Sequence, residues 1–160
     1  MPTEQARRDR VFLVVVDDSP ERAVALRYAC LRAARSGGRV ALLRVAEPVE
    51  QAEWAGIEAM MQQERREEAE TLLNGLAAQV TEITGGLPIL LVREGQPAEA
   101  LLELLEEDPR ISILVLATAP GGKGPGPLIS ALTGRLAHRL TVPMTVVPGG
   151  MSDAELERVT

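Results

Sequence analysis

A chain of 160 residues is long enough for one domain with a sizeable core and too short for two ordinary ones. Hydrophobic residues make up 46% of it but aromatics only 2%, so its core must be aliphatic, a composition that suits the doubly covered strands of a parallel sheet. A formal net charge of −6 argues against general nucleic-acid binding, and a single cysteine (Cys30) and a single histidine (His138) exclude an internal disulfide, a multi-cysteine metal site and multi-histidine chemistry.

Residues 1–10 are polar and charged, without the apolar core of a secretory signal. The longest apolar runs, such as Val11 to Val16, fall far short of a membrane span, so the expected compartment is the cytoplasm and no membrane partner is expected. Val11 to Val16 reads as a buried first strand. It runs into Asp17-Asp18-Ser19-Pro20, where Ser19 is placed to cap a helix and Pro20 suits its first position. Ala23, Leu26, Ala29, Cys30 and Ala33 follow at helical spacing, and Gly37-Gly38 stops that helix. Val40 to Val45 is the second strand, with Pro48 just beyond it.

Next comes a long, polar-rich helix. Trp54, Ile57, Met60 and Met61 lie in its first part, a charged stretch from Gln62 to Glu68 in its middle, and Leu72, Leu73, Leu76, Val80 and Ile83 in its last part, before Gly85-Gly86. Leu87 to Val92 is the third strand. After Gly95-Gln96-Pro97 a helix carries Leu101, Leu102, Leu104 and Leu105. Ile111 to Ala117 is the fourth strand, followed by a Gly- and Pro-rich loop from Thr118 to Pro127. A helix with Leu128, Ile129, Leu132, Leu136 and Leu140 leads to the last strand, Val142 to Val147, where Pro143 argues for an edge or terminal position. In the tail, Ser152-Asp153-Ala154-Glu155 has the pattern of a capping box, and a short helical turn and a frayed terminus are both compatible with it.

Strands alternating with helices imply right-handed crossovers and a parallel sheet. The expected organisation is a polar segment over 1–10, one five-stranded α/β domain over 11–150, and a tail over 151–160. In such sheets ligands sit beyond the carboxyl ends of the strands, where the winding reverses. Two loops have suitable chemistry there. One is Asp17-Asp18-Ser19. The other is Gly121 to Pro127, whose glycines allow close backbone approach while its prolines remove N–H donors. Neither is a P-loop, and no Gly-x-Gly-x-x-Gly opens the first helix.

Several pieces, in order, resemble the universal stress protein family from Val11 to Val147. They are Val16-Asp17-Asp18-Ser19 with Ala25-Leu26 and Ala29, Leu42-Leu43-Arg44-Val45, Glu94-Gly95-Gln96-Pro97, Leu114-Val115-Leu116, and Val142-Pro143-Met144-Thr145-Val146-Val147. The resemblance implies a doubly wound parallel sheet of order 3-2-1-4-5 with helices on both faces. It also implies a homodimer formed through the last strand, Val142 to Val147. ATP-binding members carry Gly-x-x-Gly, nine residues, then Gly followed by Ser or Thr. This chain keeps the spacing with Gly121, Gly124 and Gly134, but Arg135 stands where the hydroxyl belongs. Ala117-Thr118-Ala119-Pro120 also occupies the place of the first glycine, so the loop is about four residues longer than the family's.

The resemblance thus implies a stress-response module binding an adenine nucleotide, ATP with Mg²⁺, through Val16, Asp17, Val45 (by its backbone), Gly121, Gly124, Gly134 and Arg135. Its rival, favoured by Arg135 and the longer loop, is a dimeric interaction module of the same family that has lost ATP and meets another protein through its acidic surface or the Met60/Met61 lid region. Plainer roles compete for each residue. Asp17 suits a turn, Arg135 the surface, Lys123 a solvated loop, and Glu64 to Glu68 a solvated helix face. Met60 and Met61 suit core or lid packing, Cys30 a buried inert thiol, and His138 the surface. No catalytic constellation and no protein metal site stand out, though slow hydrolysis of bound ATP is left open. A hydrolase reading lacks a nucleophile–base pair.

Overall fold

The chain folds around its N-terminal aliphatic run. Val11–Val15 forms β1, buried at every position, because a central strand covered on both faces needs apolar side chains throughout. β2 (Arg39–Ala46) and β4 (Ile111–Ala117) flank it, and β3 (Ile89–Glu94) and β5 (Met144–Val147) form the edges. All pairs are parallel, in the order β3-β2-β1-β4-β5 that the family resemblance implies. The computed structural model describes residue 3 and residues 10–49 and 54–160; most of the expected polar segment 1–10 lies outside the described residues.

Alternate residues of β1 serve two cores. Val11, Leu13 and Val15, with Ala41 and Leu43 of β2 and Leu114 of β4, pack beneath α3 (Pro97–Glu107) and α4 (Pro127–Thr133). Phe12, Val14 and Val16, with Val40 and Leu42, face α1 (Arg22–Ser36), α2 (Ala55–Thr84) and α5 (Asp153–Val159). Each fully buried Leu or Val contributes roughly 1.5–3 kcal/mol by leaving water. No polar side chain is buried among the described residues.

Local signals set most boundaries. α1 ends at Gly37, whose φ of 74° is the left-handed conformation glycine adopts without strain, and its N–H donates to the Ala33 carbonyl. Pro97 opens α3. In the tail the Ser152 hydroxyl accepts the Glu155 N–H at 3.2 Å and donates to the Glu155 carboxylate at 3.0 Å. That cap makes the tail a helix, and Leu156 is buried against α1. Arg27 of α1 pairs with Asp153 at 3.2 Å and Glu157 at 3.5 Å across the same contact.

Other boundaries differ from the sequence reading. Ser19 does not cap α1 and Pro20 is not its first residue; the helix starts at Arg22 after Glu21, and the Ser19 hydroxyl donates to Asp17 in the turn before it. β1 stops at Val15, although the Val16 N–H still reaches the Leu43 carbonyl at 2.7 Å. β3 starts at Ile89 rather than Leu87, since Pro88 has no N–H for the ladder, and Leu87 is exposed. β5 starts at Met144 for the same reason, and Pro143 contributes only its carbonyl, which accepts the Leu114 N–H at 2.9 Å. The helix expected to run to Leu140 ends at Thr133. Gly134 leaves helical geometry (φ −103°, ψ −114°), and the chain resumes as a 3₁₀ turn, Ala137–Arg139. Met60 and Met61 are exposed rather than packed into the core.

Candidate functional site

The turn after β1 is built by one carboxylate. Asp17 accepts the Ser19 N–H at 3.0 Å and the Ser19 hydroxyl at 2.5 Å, closing an Asx-type turn that delivers the chain into α1. Arg22, in the first turn of α1, donates back to the Asp17 carbonyl. Asp18 pairs with Arg44 of β2 at 3.1 Å, and Arg44 also donates to the Val16 carbonyl at 3.2 Å.

Across the sheet, the exit from β4 is tied to the end of β5. The Thr118 N–H donates to the Val147 carbonyl at 2.9 Å, and the Thr118 hydroxyl accepts the Gly149 N–H at 3.2 Å. A Cβ on Gly149 would lie 1.9 Å from the Thr118 carbonyl oxygen, so only glycine allows this approach. Residues 118–126 then loop outward and return at Gly126, whose φ of 101° and ψ of 161° belong to a region used almost solely by glycine. Pro127 starts α4 at once.

Between these two turns lies a cavity of about 240 Å³ beyond the carboxyl ends of β1 and β4, where the winding reverses. Asp17, Ser19 and Arg22 form one wall, and Ala117, Pro125 and Gly126 the other. Asp18 and Glu21 also border it, so carboxylates outnumber the single cation, Arg22. The volume falls below the roughly 300–1,000 Å³ usual for small-molecule sites.

Of the seven residues singled out in the sequence, Asp17 alone lines this cavity. Val16 and Val45 have buried side chains, and the Val16 carbonyl is taken by Arg44. Gly121 and Gly124 are exposed, with open space where a Cβ would stand. Gly134 and exposed Arg135 sit past the carboxyl end of α4, at the opposite end from Gly126. None of these three glycines lines the cavity, and Gly134 follows Gly124 on the far side of α4 along the chain. The wall residues Gly126 and Arg22 were missed. A glycine directly before a helix-opening proline, and an arginine five places after a strand-end Asp, were their signals.

A resident Mg²⁺ ion would need oxygen ligands. Asp17 and Asp18 offer carboxylates, but they are engaged by Ser19 and Arg44, and no group of three or more metal-ligating side chains gathers among the described residues. Mg²⁺ held largely by phosphate oxygens and waters would fit this donor set; a centre built by the protein alone would not. Cys30 and His138 supply no nucleophile–base pair: the thiol is buried and pushed up to about 12 by that burial, while the imidazole is exposed on the 3₁₀ turn. No helix among the described residues is long and apolar enough to cross a membrane.

No curated protein matches the chain in sequence. Solved structures match it in fold. Universal stress protein UspA from Lactobacillus plantarum superposes with a TM-score of 0.71 at 16% identity, covering 88% of this chain and 98% of that one. A universal stress protein in complex with cAMP gives 0.62 at 18% identity, with 88% and 98% covered. A family protein from Arabidopsis thaliana with AMP bound gives 0.56 at 15% identity, with 87% and 91% covered. A sequence profile of the universal stress protein family matches residues 10–148, nearly the whole described domain, and the chain belongs to that family.

Proposed function

We propose that the cavity beyond β1 and β4 takes an adenine nucleotide, and that the protein is a stress-response module whose state follows that ligand. The observation that carries this reading is the Asp17 carboxylate facing an apolar wall at the switch point. A nucleoside has flat apolar base faces and several N–H and O–H donors. Ala117 and Pro125 suit the former, and the free lone pairs of Asp17 the latter. The related structures with cAMP and AMP support the same ligand class. Phosphates would be repelled by Asp18 and Glu21, and would lie outward over residues 118–126, beside Lys123. In this reading ATP with Mg²⁺ is one occupant, its outer phosphates in solvent, and AMP is another. Among the described residues the outer edge of β5 has no partner strand, and in this reading it pairs a second copy into a homodimer, in the cytoplasm.

A second reading rests on the loop. With Gly121, Gly124 and Gly134 outside the cavity lining, and with Pro125 and Pro127 lacking N–H donors, the protein would be a nucleotide-free dimeric interaction module. Calorimetric titration with AMP and Mg-ATP, with GTP as control, separates the two. Saturable heat with AMP and Mg-ATP, weakened in Asp17→Ala, supports the nucleotide module. No heat and no thermal stabilisation at millimolar nucleotide leaves the interaction module.

A further inference from the structure

The first turns of α2 expose apolar side chains that the core does not use. Trp54 is 69% exposed, Ile57 43%, Met60 67% and Met61 39%. The following turns carry Glu64, Glu67 and Glu68, which line one shallow hollow together with Thr71 and Leu72. Helical spacing puts Met60, Met61, Glu64, Glu67 and Glu68 on a single stripe. One face thus has an apolar head and an acidic ladder behind it.

The neighbouring arginines do not neutralise the ladder. Arg65 donates to the carbonyls of Glu47 at 2.8 Å and Pro48 at 3.4 Å. Arg66 pairs with Glu94 at 3.5 Å and Glu70 at 3.8 Å. Glu64, Glu67 and Glu68 have no ion-pair partner among the described residues.

We propose that this face of α2 docks a basic amphipathic helix of another protein, with its apolar side on Trp54, Ile57, Met60 and Met61 and its Lys or Arg residues against Glu64, Glu67 and Glu68. Tryptophan anchors and adaptable methionines are the side chains that seat such helices, and the carboxylates set their polarity and register. Charge complementarity selects this occupant. A second copy in a two-fold pairing would bring carboxylates against carboxylates or against methionines. An anionic lipid surface would be repelled. The inference goes beyond nucleotide binding and stands on a different element.

Trp54 is the only tryptophan of the chain, so its emission reads the face directly. The probe is a synthetic amphipathic Leu/Lys helical peptide, with a Leu/Glu peptide of the same pattern as control. The expected result is a saturable blue shift with the Leu/Lys peptide only. Combined Glu64→Lys, Glu67→Lys and Glu68→Lys should weaken it about tenfold or more, as should Met60→Ser with Met61→Ser. The equal charge change Glu82→Lys, Glu103→Lys and Glu107→Lys, on other exposed surface, should leave it in place. Circular dichroism confirms that each variant is folded. No shift, an equal shift with Leu/Glu peptide, or equal loss in both triple variants overturns the proposal. So does a blue shift produced by raising protein concentration alone, which assigns the face to a second copy, or one produced by phosphatidylserine vesicles.

Discussion

β1 and the loop over residues 118–126 border the same cavity, yet different physics holds each. Every residue of β1 is buried, with strands on both sides and helices over both faces. The loop is mostly exposed and is held at its ends, by Thr118 and Gly149 at the base and by the backbone of Gly126 at the return. The strand is over-determined by packing. The loop depends on a few close backbone contacts, so the cavity has one wall that tolerates little motion and one that a single substitution can move.

The sharpest way to break the strand is Leu13→Ala, which opens a cavity in the centre of the sheet where the side chain is fully buried. A loss of about 2–5 kcal/mol is expected in urea unfolding. The loop should break more cheaply. Gly149→Ala forces a Cβ against the Thr118 carbonyl and should cost roughly 1–3 kcal/mol while abolishing nucleotide affinity, whereas Leu13→Ala leaves affinity intact below its melting temperature. Ser152→Ala, which removes the α5 cap far from the cavity, should cost about 1 kcal/mol in the same assay and leave affinity unchanged.

The smallest effect is zero at neutral pH and concerns Cys30 on the buried face of α1. Burial raises its thiol from 9.0 to about 12, so with rising pH the unfolded chain loses that proton first. Stability owed to the neutral thiol is complete below pH 9 and should fall between pH 9 and about 12. Thermal melts of Cys30→Ala over that window should lack this slope.

The over-determined parts were also the legible ones. Ile111 to Ala117 was bounded in the sequence as it is in the structure, because a doubly covered strand writes itself as an apolar run. Ser152 to Glu155 likewise announced a cap that formed. Leu136 and Leu140 misled, since their spacing continues through Gly134 although the backbone does not. Part of the site was readable. Asp17 was, as the carboxylate ending a central strand. Gly126 was not, because the spacing pointed to Gly121, Gly124 and Gly134, none of which lines the cavity. Met60 and Met61 read as core or lid packing, and they lie where α2 leaves them exposed.

The most direct test of the central claim is an amide chemical-shift titration of the isotope-labelled protein with AMP. Binding in the switch-point cavity should move the amides of Asp17 to Arg22 and of Ala117, Gly126 and Leu128, and leave those of Glu64 to Thr71 still. Shifts confined to other surfaces, or no saturable shifts at millimolar AMP, would contradict it.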